Sequence, residues 1–509
     1  MADALHYSFA MPMAVLAALY ATYHVFVWIK SPKLNFPVVG SASDSDFADA
    51  ALEGFEKVYP DTPFILPSNP NVVVLPLSMY MEVKNHPNVH NNLERQTRFM
   101  TRWTHADPEI PELFPVIRKD MAKNMSALLP LIQDETKYGF RELNISTEWK
   151  QIPIQSTIQR IVALITSRSF IGLPICHNEA WLELATSYTT AIGHVQDDYN
   201  RMHPAAVQFM APFLKSVRAA RRYITKAEPI LAPLVASVLL DEEKASSPLE
   251  AGDPGALISW LLSYIPEKDR NTKRISIDQL VLAVAAIHNT ANTTTFALMN
   301  LLEHPEYIDD LRAEVQAELA REVPQGGNPP EFIGKAAFAN MKKLDSFIKE
   351  SMRYSGVFTV NPLYLTTANT AFSNGVKLPK GTRVGFSTRG VSMSSSNPTL
   401  GPEMSAKAES PGPDTFDGYR FEKLRKLPGH EAKHQAVTTG LDSLVWGHGP
   451  HACPGRFFAI YEIKSIFMEF LLNYDVRAPN GVKRPQAMKV GLMSNPDPLA
   501  TVEIRKRSF

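Results

Sequence analysis

The chain has 509 residues, with 52 Lys and Arg against 52 Asp and Glu, and is 45% hydrophobic. That balance leaves no global field to recruit nucleic acid, and two cysteines exclude a disulfide framework. The length suffices for a sizeable buried core and on its own suggests two or three domains.

Tyr7 to Ile29 carries no Asp, Glu, Lys or Arg and would be about 34 Å long as a helix, enough to span a hydrocarbon core. It runs into Lys30-Ser31-Pro32-Lys33 without a small-residue cleavage site, so an uncleaved anchor over residues 1–30 is expected, with a buried N-terminal helix as the competing reading. Asp3 before it and Lys30 and Lys33 after it place residues 31–509 on the cytosolic side. Pro32 and Pro37 stiffen the connector.

Beyond the anchor, apolar periodicity predicts helices at Leu128–Glu135, Val207–Leu240, Ser276–Glu303, Pro305–Arg321 and Phe338–Tyr354. Ser276-x-x-Gln279 reads as a capping box opening the third of these. Strand-like runs occur at Asn71–Pro76, Leu363–Phe372, Thr382–Ser387 and Ala500–Arg505, and Pro/Gly/Ser-rich loops fall near 242–255, 322–330 and 392–414. Pro454 is placed to open a last helix running to Asn473. No internal repeat is evident.

The most informative run is Trp446-Gly447-His448-Gly449-Pro450-His451-Ala452-Cys453-Pro454-Gly455. A thiolate ligand to haem iron needs its charge stabilised, its backbone held close to a flat ring and its sulfur shielded, and Gly447, Gly449 and Gly455 permit such a turn. Backbone N–H groups of the turn can then hydrogen-bond the sulfur. Three other readings compete: a buried structural cysteine, a G-x-G-x-x-A dinucleotide turn and a zinc ligand. The first leaves the glycines and His451 unexplained. The second lacks a preceding strand and contains Pro450, and the third lacks partner cysteines at ligand spacing.

The run resembles the haem-binding signature of the cytochrome P450 family, with Trp446 where phenylalanine is usual, and its continuation through Arg456-Phe457-Phe458-Ala459 is similar to fungal members. The resemblance covers nearly everything after about residue 36. It implies a mainly α fold with a small β-sheet, cytochrome P450-like, as one catalytic domain preceded by the N-terminal transmembrane helix. It also implies haem b with Cys453 as the axial metal ligand.

Two further motifs are expected from the family. Glu350-Ser351-Met352-Arg353 puts two charges on one helix face, a pattern that alone suits a solvated pair. The resemblance implies that they are buried and joined by Arg420 as a structural lock beneath the haem. The second motif is altered. Ala285-Ala286-Ile287-His288-Asn289-Thr290 aligns with the family's oxygen-binding element, with His288 and Asn289 replacing its acid and first threonine. Small side chains at Ala285 and Ala286 leave room for dioxygen. Asn289 can hold a water but cannot relay a proton as a hydroxyl does, and Thr290 lies about 100° further around the helix. His288 either feeds protons or satisfies the helix locally. Catalytic roles are thus expected at His288, Asn289 and Thr290.

No basic residue occurs between Arg353 and Lys377, where relatives commonly anchor a haem propionate; His451 and Arg118 are the alternatives. Pocket counterparts fall near Phe99–Trp103, Val281–Ala286, Phe358–Pro362 and Leu492–Pro496, making Ala285, Ala286, Val360 and Met493 substrate-pocket candidates for a hydrophobic molecule. No Walker A loop, flavin fingerprint or fused reductase is present, so electrons are expected from NADPH through a separate flavoprotein, the cytochrome P450 reductase. Lys423, Arg425, Lys426, Lys433, Arg456 and Lys464 form a candidate docking face for it. Family members anchored in this way sit on the endoplasmic reticulum, and fungal ones often act on terpenoid, alkaloid or polyketide intermediates. Three activities stay open: oxidation, most simply hydroxylation; rearrangement, dehydration or oxidative coupling without net oxygen insertion; and non-catalytic haem binding. Cys176 is expected to be a packed thiol.

Overall fold

The computed structural model describes residues 32–106, 110–244, 253, 255–323, 330–479 and 485–508, with Thr22 and Val25. The expected anchor at Tyr7–Ile29 lies outside that range. Ten helices position the site: α1 Asn91–Arg98, α2 Met125–Glu142, α3 Ile154–Phe170, α4 Glu179–Asn200, α5 Lys215–Lys244, α6 Thr272–Glu303, α7 Ile308–Arg321, α8 Lys342–Tyr354, α9 Thr388–Met393 and α10 Arg456–Asn473. The strands are β1 Phe64–Leu66, β2 Val72–Val74, β3 Val89–His90, β4 Lys150–Pro153, β5 Val360–Thr366, β6 Thr370–Ala371, β7 Lys377–Leu378, β8 Arg383–Ser387, β9 Tyr474–Arg477, β10 Met488–Val490, β11 Met493–Asn495 and β12 Thr501–Lys506.

Five strands form a sheet in the order β1-β2-β8-β5-β3, parallel only between β2 and β8. β12 lies between β4 and β9 in a second sheet, β10 pairs with β11 and β6 with β7. The mainly helical architecture with small sheets agrees with expectation.

Helix α6 is the axis of the domain, 32 residues and therefore about 48 Å long. It packs against α3, α4, α5 and α8. It starts a turn earlier than the capping box predicts. The Asn271 side chain accepts the Arg274 N–H at 3.0 Å, while Ser276 is fully buried inside the helix. Asparagine is as good a cap as serine, and nothing in Thr272-Lys273-Arg274 resists helix.

Two predicted helices are split. Val207–Leu240 breaks at a 3-10 turn, Ala211–Phe213, where Pro212 removes a donor. Phe338–Tyr354 divides at Met341, and the Glu314 carboxylate of α7 accepts the N–H groups of Lys343 and Leu344 at 2.8 and 2.9 Å, capping α8 from outside. Helix α10 begins at Arg456, with Pro454 left in the preceding turn.

Among the described residues one helical stretch, Lys215–Leu240, is long and apolar enough to cross a membrane, at mean hydropathy 1.4. Val217, Ala220, Ile224, Ala227, Leu231, Val235 and Val238 are buried at intervals of three or four, and α5 packs on α4 and α6. Such a stripe is the signature of a helix belonging to a folded domain.

Candidate active site

The ligand loop is held from several directions. Gly447 and Gly449 have φ of +67° and +78°, a region that side chains resist, and a Cβ at Gly449 would lie 2.5 Å from Lys84 Nζ. Trp446 Nε1 donates to Ala436 O at 2.8 Å, and the Cys453 N–H returns to Trp446 O at 2.8 Å. Tyr80 bridges the loop backbone: its hydroxyl donates to His448 O at 3.2 Å and accepts the His448 N–H at 3.1 Å. Arg456 then ties the start of α10 to the loop, donating to Cys453 O at 2.9 Å and Val437 O at 3.1 Å.

Cys453 faces a cavity of about 960 Å³. Burial pushes its thiol up, opposed by N–H groups of Gly455 and Arg456 and by the Arg456 charge. Those same groups would stabilise a thiolate once a metal displaced the proton. Across the cavity from this loop runs α6, contributing Ala285, Ala286, Asn289, Thr290 and Thr293 to the lining. Asn289 and Ala285 are exposed only in the sense that they face this space. A sulfur on a glycine turn, small residues on the facing helix and apolar walls from Leu113, Phe114, Ile117 and Phe458 fit a flat haem ligated by Cys453.

His288 is not part of the lining. Its Nδ1 lies 3.2 Å from Gln159 Nε2 on α3, and burial lowers its pKa to about 4. The imidazole sits on the flank of α6 that packs against α3, because 288 and 289 differ by about 100° around the helix. The structure thus puts the imidazole against α3 and outside the lining, where it satisfies the helix flank locally.

The lock expected around Glu350 is assembled. Arg353 grips the carboxylate through Nε and Nη2 at 2.8 and 2.6 Å, and Arg420 Nε lies 3.2 Å from both oxygens. Glu350, Arg353 and Arg420 are 0%, 5% and 1% exposed. The Asp417 N–H adds a fourth donor at 3.0 Å. Arg420 also donates to the carbonyls of Pro411, Gly412 and Thr415, and so organises the loop leading into the ligand segment.

Other expectations are revised. Val360 is buried above Gly385 of β8, while Thr359 and Asn361 line the cavity; strand alternation turns 360 into the sheet core. Met493 is likewise replaced in the lining by Ser494. The Phe99–Trp103 segment gives way to Asn91, Arg95 and Arg98 of α1. Arg118 does not line the cavity and donates to Pro450 O at 3.0 Å, bracing the ligand loop. The His451 side chain lies outside what is described. The guanidinium side chains that do line the cavity are Arg95, Arg98, Arg353 and Arg389. The docking face shrinks too. Lys464 is buried against Asp345 and Phe338 O, Arg425 is turned to Asp345, and Arg456 serves the loop.

One lining residue went unnoticed in the sequence. Glu462 on α10 is 0% exposed, accepts from Thr166 Oγ1 at 3.1 Å and leaves Oε2 without a hydrogen-bond partner. Burial raises its pKa well above the ordinary 4.5, which favours the protonated acid at this lining position. Its position in the apolar run of α10 gives no periodicity signal that would single it out.

A sequence profile of the family described as Cytochrome P450 matches residues 125–502. Among curated proteins, the chain is 36% identical over 483 residues to cytochrome P450 monooxygenase 3 of Gibberella fujikuroi, covering 94% of this chain and 91% of that protein. It is 34% identical over 518 residues to cytochrome P450 monooxygenase ascG of Acremonium egyptiacum, covering 98% and 97%. Similarity to cytochrome P450 monooxygenase BOA4 of Botryotinia fuckeliana is 31% over 503 residues, covering 96% and 95%. With a cysteine loop beneath a helix-roofed cavity, and relatives matched over nearly its whole length, the chain belongs to the cytochrome P450 family and is an oxidoreductase of the monooxygenase type.

Proposed function

We propose that the protein uses dioxygen and electrons from an NADPH-dependent flavoprotein reductase to hydroxylate a hydrophobic small molecule, an intermediate of fungal secondary metabolism. The observation that carries this is Cys453 on its glycine loop facing the Ala285–Thr290 stretch of α6 across one cavity. Haem supplies the oxygen-activating chemistry when bound. Cys453 would hold its iron, with Arg456 and the N–H groups of Gly455 and Arg456 supporting the thiolate. Arg95, Arg98 and Arg389, which line the cavity, would take the carboxylates of the haem. The substrate rests on Phe114, Val281, Phe358 and Leu363, and Asn289 orients a water or a substrate polar group through its amide. Thr290 and Thr293 supply the hydroxyls of this wall. The reading places the enzyme on the endoplasmic reticulum with its catalytic domain in the cytosol. Asn289 in place of the family's threonine favours one alternative, a rearrangement, dehydration or coupling without net oxygen insertion.

Reduction in the presence of carbon monoxide should give a Soret band far to the red of a histidine-ligated haem, lost in Cys453→Ser. Turnover under labelled dioxygen then separates the two chemistries, since label in the product requires oxygen insertion. A folded, haem-supplied protein without the red-shifted band would sink the haem-thiolate reading.

A further inference from the structure

Outside the cavity lining, three donor groups of different chemistry meet where α2 crosses the turn between α3 and α4. Glu135 projects from α2, and Cys176 and His177 come from the 3-10 turn Ile175–His177. Their donor atoms all lie within 4.8 Å of one another. Cys176 and Glu135 are 0% and 1% exposed, while the His177 side chain keeps 29% exposure. His177 Nε2 is 2.6 Å from Glu135 Oε1, and its ring is stacked on Tyr138 at 4.0 Å and 12°. The second carboxylate oxygen faces Arg168 Nε at 3.9 Å, a nitrogen that has no hydrogen-bond partner.

A hydrogen-bonded Glu–His pair accounts for two of these groups but not for a thiol pressed against them. Burial and the Glu135 charge push that thiol up to about 12, so the cluster lacks positive charge for the sulfur. A divalent cation would provide it. With one thiolate, one carboxylate and one neutral imidazole the local charge sums to zero, and Arg168 remains as an outer partner orienting the carboxylate. Mixed sulfur, nitrogen and oxygen donors suit zinc rather than magnesium or calcium. Zinc ligands at about 2.0–2.3 Å in a tetrahedron sit roughly 3.3–3.8 Å apart. The Glu135–His177 pair must therefore open by about 1 Å, and the partly exposed imidazole is the group with room to move.

We propose that Glu135, Cys176 and His177 form a three-ligand zinc site, its fourth position filled by water on the His177 side, which ties α2 to the α3–α4 turn. Binding exchanges the Cys176 S–H bond for a zinc–sulfur bond and releases that proton to solvent, while the proton held between His177 Nε2 and Glu135 Oε1 is transferred to Nδ1 so that Nε2 and Oε1 can take the zinc, with no change of oxidation state. Its residues are separate from the Cys453 cavity, so the proposal does not depend on the haem chemistry.

The test uses the full-length, haem-loaded protein, stripped with a chelator and titrated with zinc chloride against a chromophoric competitor. One equivalent should bind, weakened roughly 100-fold by Cys176→Ser and at least about 10-fold by His177→Gln. Substituting His430 and His434, a stacked pair 2.8 Å apart on another part of the molecule, should leave it unchanged. Zinc binding that Cys176→Ser does not move, or none in the wild type, overturns the proposal. Should Cys176→Ser lose its haem spectrum and so fail to fold, wild-type protein titrated with cadmium decides. Cys176 and Cys453 are the two cysteines, and the second is engaged by haem. A cadmium–thiolate charge-transfer band at one equivalent supports the site, and its absence refutes it.

Discussion

Replacing Arg420 by Met removes one of the two guanidinium groups, with Arg353, that join the buried Glu350 carboxylate to the segment approaching the ligand loop. The guanidinium makes contacts of 3.2 Å to both Glu350 oxygens and donates to Pro411, Gly412 and Thr415 carbonyls at 2.6, 3.1 and 2.8 Å. At 1% exposure none of this is screened by solvent. Glu350 would keep Arg353 and the Asp417 N–H, but the Pro411 and Gly412 carbonyls would lose their charged donor and Thr415 O would keep only Arg353 at 3.3 Å. Breaking a buried ionic cluster at one member costs about 3–5 kcal/mol, a large share of a total stability of about 5–15 kcal/mol. With a urea dependence of about 3 kcal/mol per molar or somewhat more for a chain this size, the midpoint should fall by about 1 M. Haem retention, followed by the Soret band, and far-ultraviolet circular dichroism should shift together. Arg420→Lys should recover only part of the loss, because one ammonium cannot reproduce a planar fork serving several acceptors. A midpoint for Arg420→Met within about 0.2 M of wild type would refute the view that this cluster locks the region below the haem.

Further outcomes follow from three side chains of helices α6 and α10. His288→Gln should leave reductase-supported turnover near wild type, since the imidazole faces Gln159; a loss of ten-fold or more would return His288 to the catalytic set. Because the folded state lowers the His288 pKa from 6.5 to about 4, the unfolded chain takes up the proton first. Wild-type stability should accordingly drop as pH falls from about 6.5 towards 4, and the Gln variant should lose that component of the slope. Glu462 has the opposite sign. The unfolded chain ionises above its ordinary 4.5 while burial holds the folded carboxyl's pKa higher, so wild type loses stability as pH rises from the lower value towards the higher. Glu462→Gln should flatten urea midpoints between pH 5 and pH 8 and be at least as stable at pH 8; an unchanged slope would show the carboxyl to be ionised. Asn289→Thr puts a hydroxyl back on the cavity wall and should raise the fraction of NADPH electrons recovered in product several-fold. No gain, or less product, would show that the amide itself serves the reaction.

The cysteine loop was readable in the sequence because its requirements are local: glycines where φ is positive, a cysteine beside them and a helix following. The Glu350–Arg353 pair was readable only as a pattern. Its burial depends on Arg420 arriving from a loop some seventy positions on, and spacing alone suits a solvated pair equally well. Side-chain direction is where sequence reading failed most often. Val360, Met493 and His288 each sit next to a lining residue, and a shift of one position flips a strand residue to the other face or turns a helix residue by about 100°. The charge-based docking face failed for a related reason. Lys464 and Arg425 look like surface cations in a linear sequence, yet both are drawn inside by Asp345, a carboxylate of α8 that no local pattern connects to them.

Displacement of His288 from the cavity sharpens the chemical question posed by α6. If the imidazole had faced the cavity, it would have supplied a titratable group near neutrality, and the missing threonine would matter less. With His288 neutral and paired to α3, the polar groups that α6 presents are the amide of Asn289 and the hydroxyls of Thr290 and Thr293. None of these ionises near neutral pH. Of the acids that line the cavity among the described residues, Asp46 and Glu462, the second has its pKa raised by burial with no cation beside it to lower it again. An active site built this way relies on positioned neutral donors rather than on a charged relay. Its turnover should therefore change little between pH 6 and pH 8 once reductase supply is not limiting. A steep pH profile in that interval would require a group with a pKa in that range; His288, lowered to about 4, does not provide one, and Glu462, pushed up by burial, would be the group to test with Glu462→Gln.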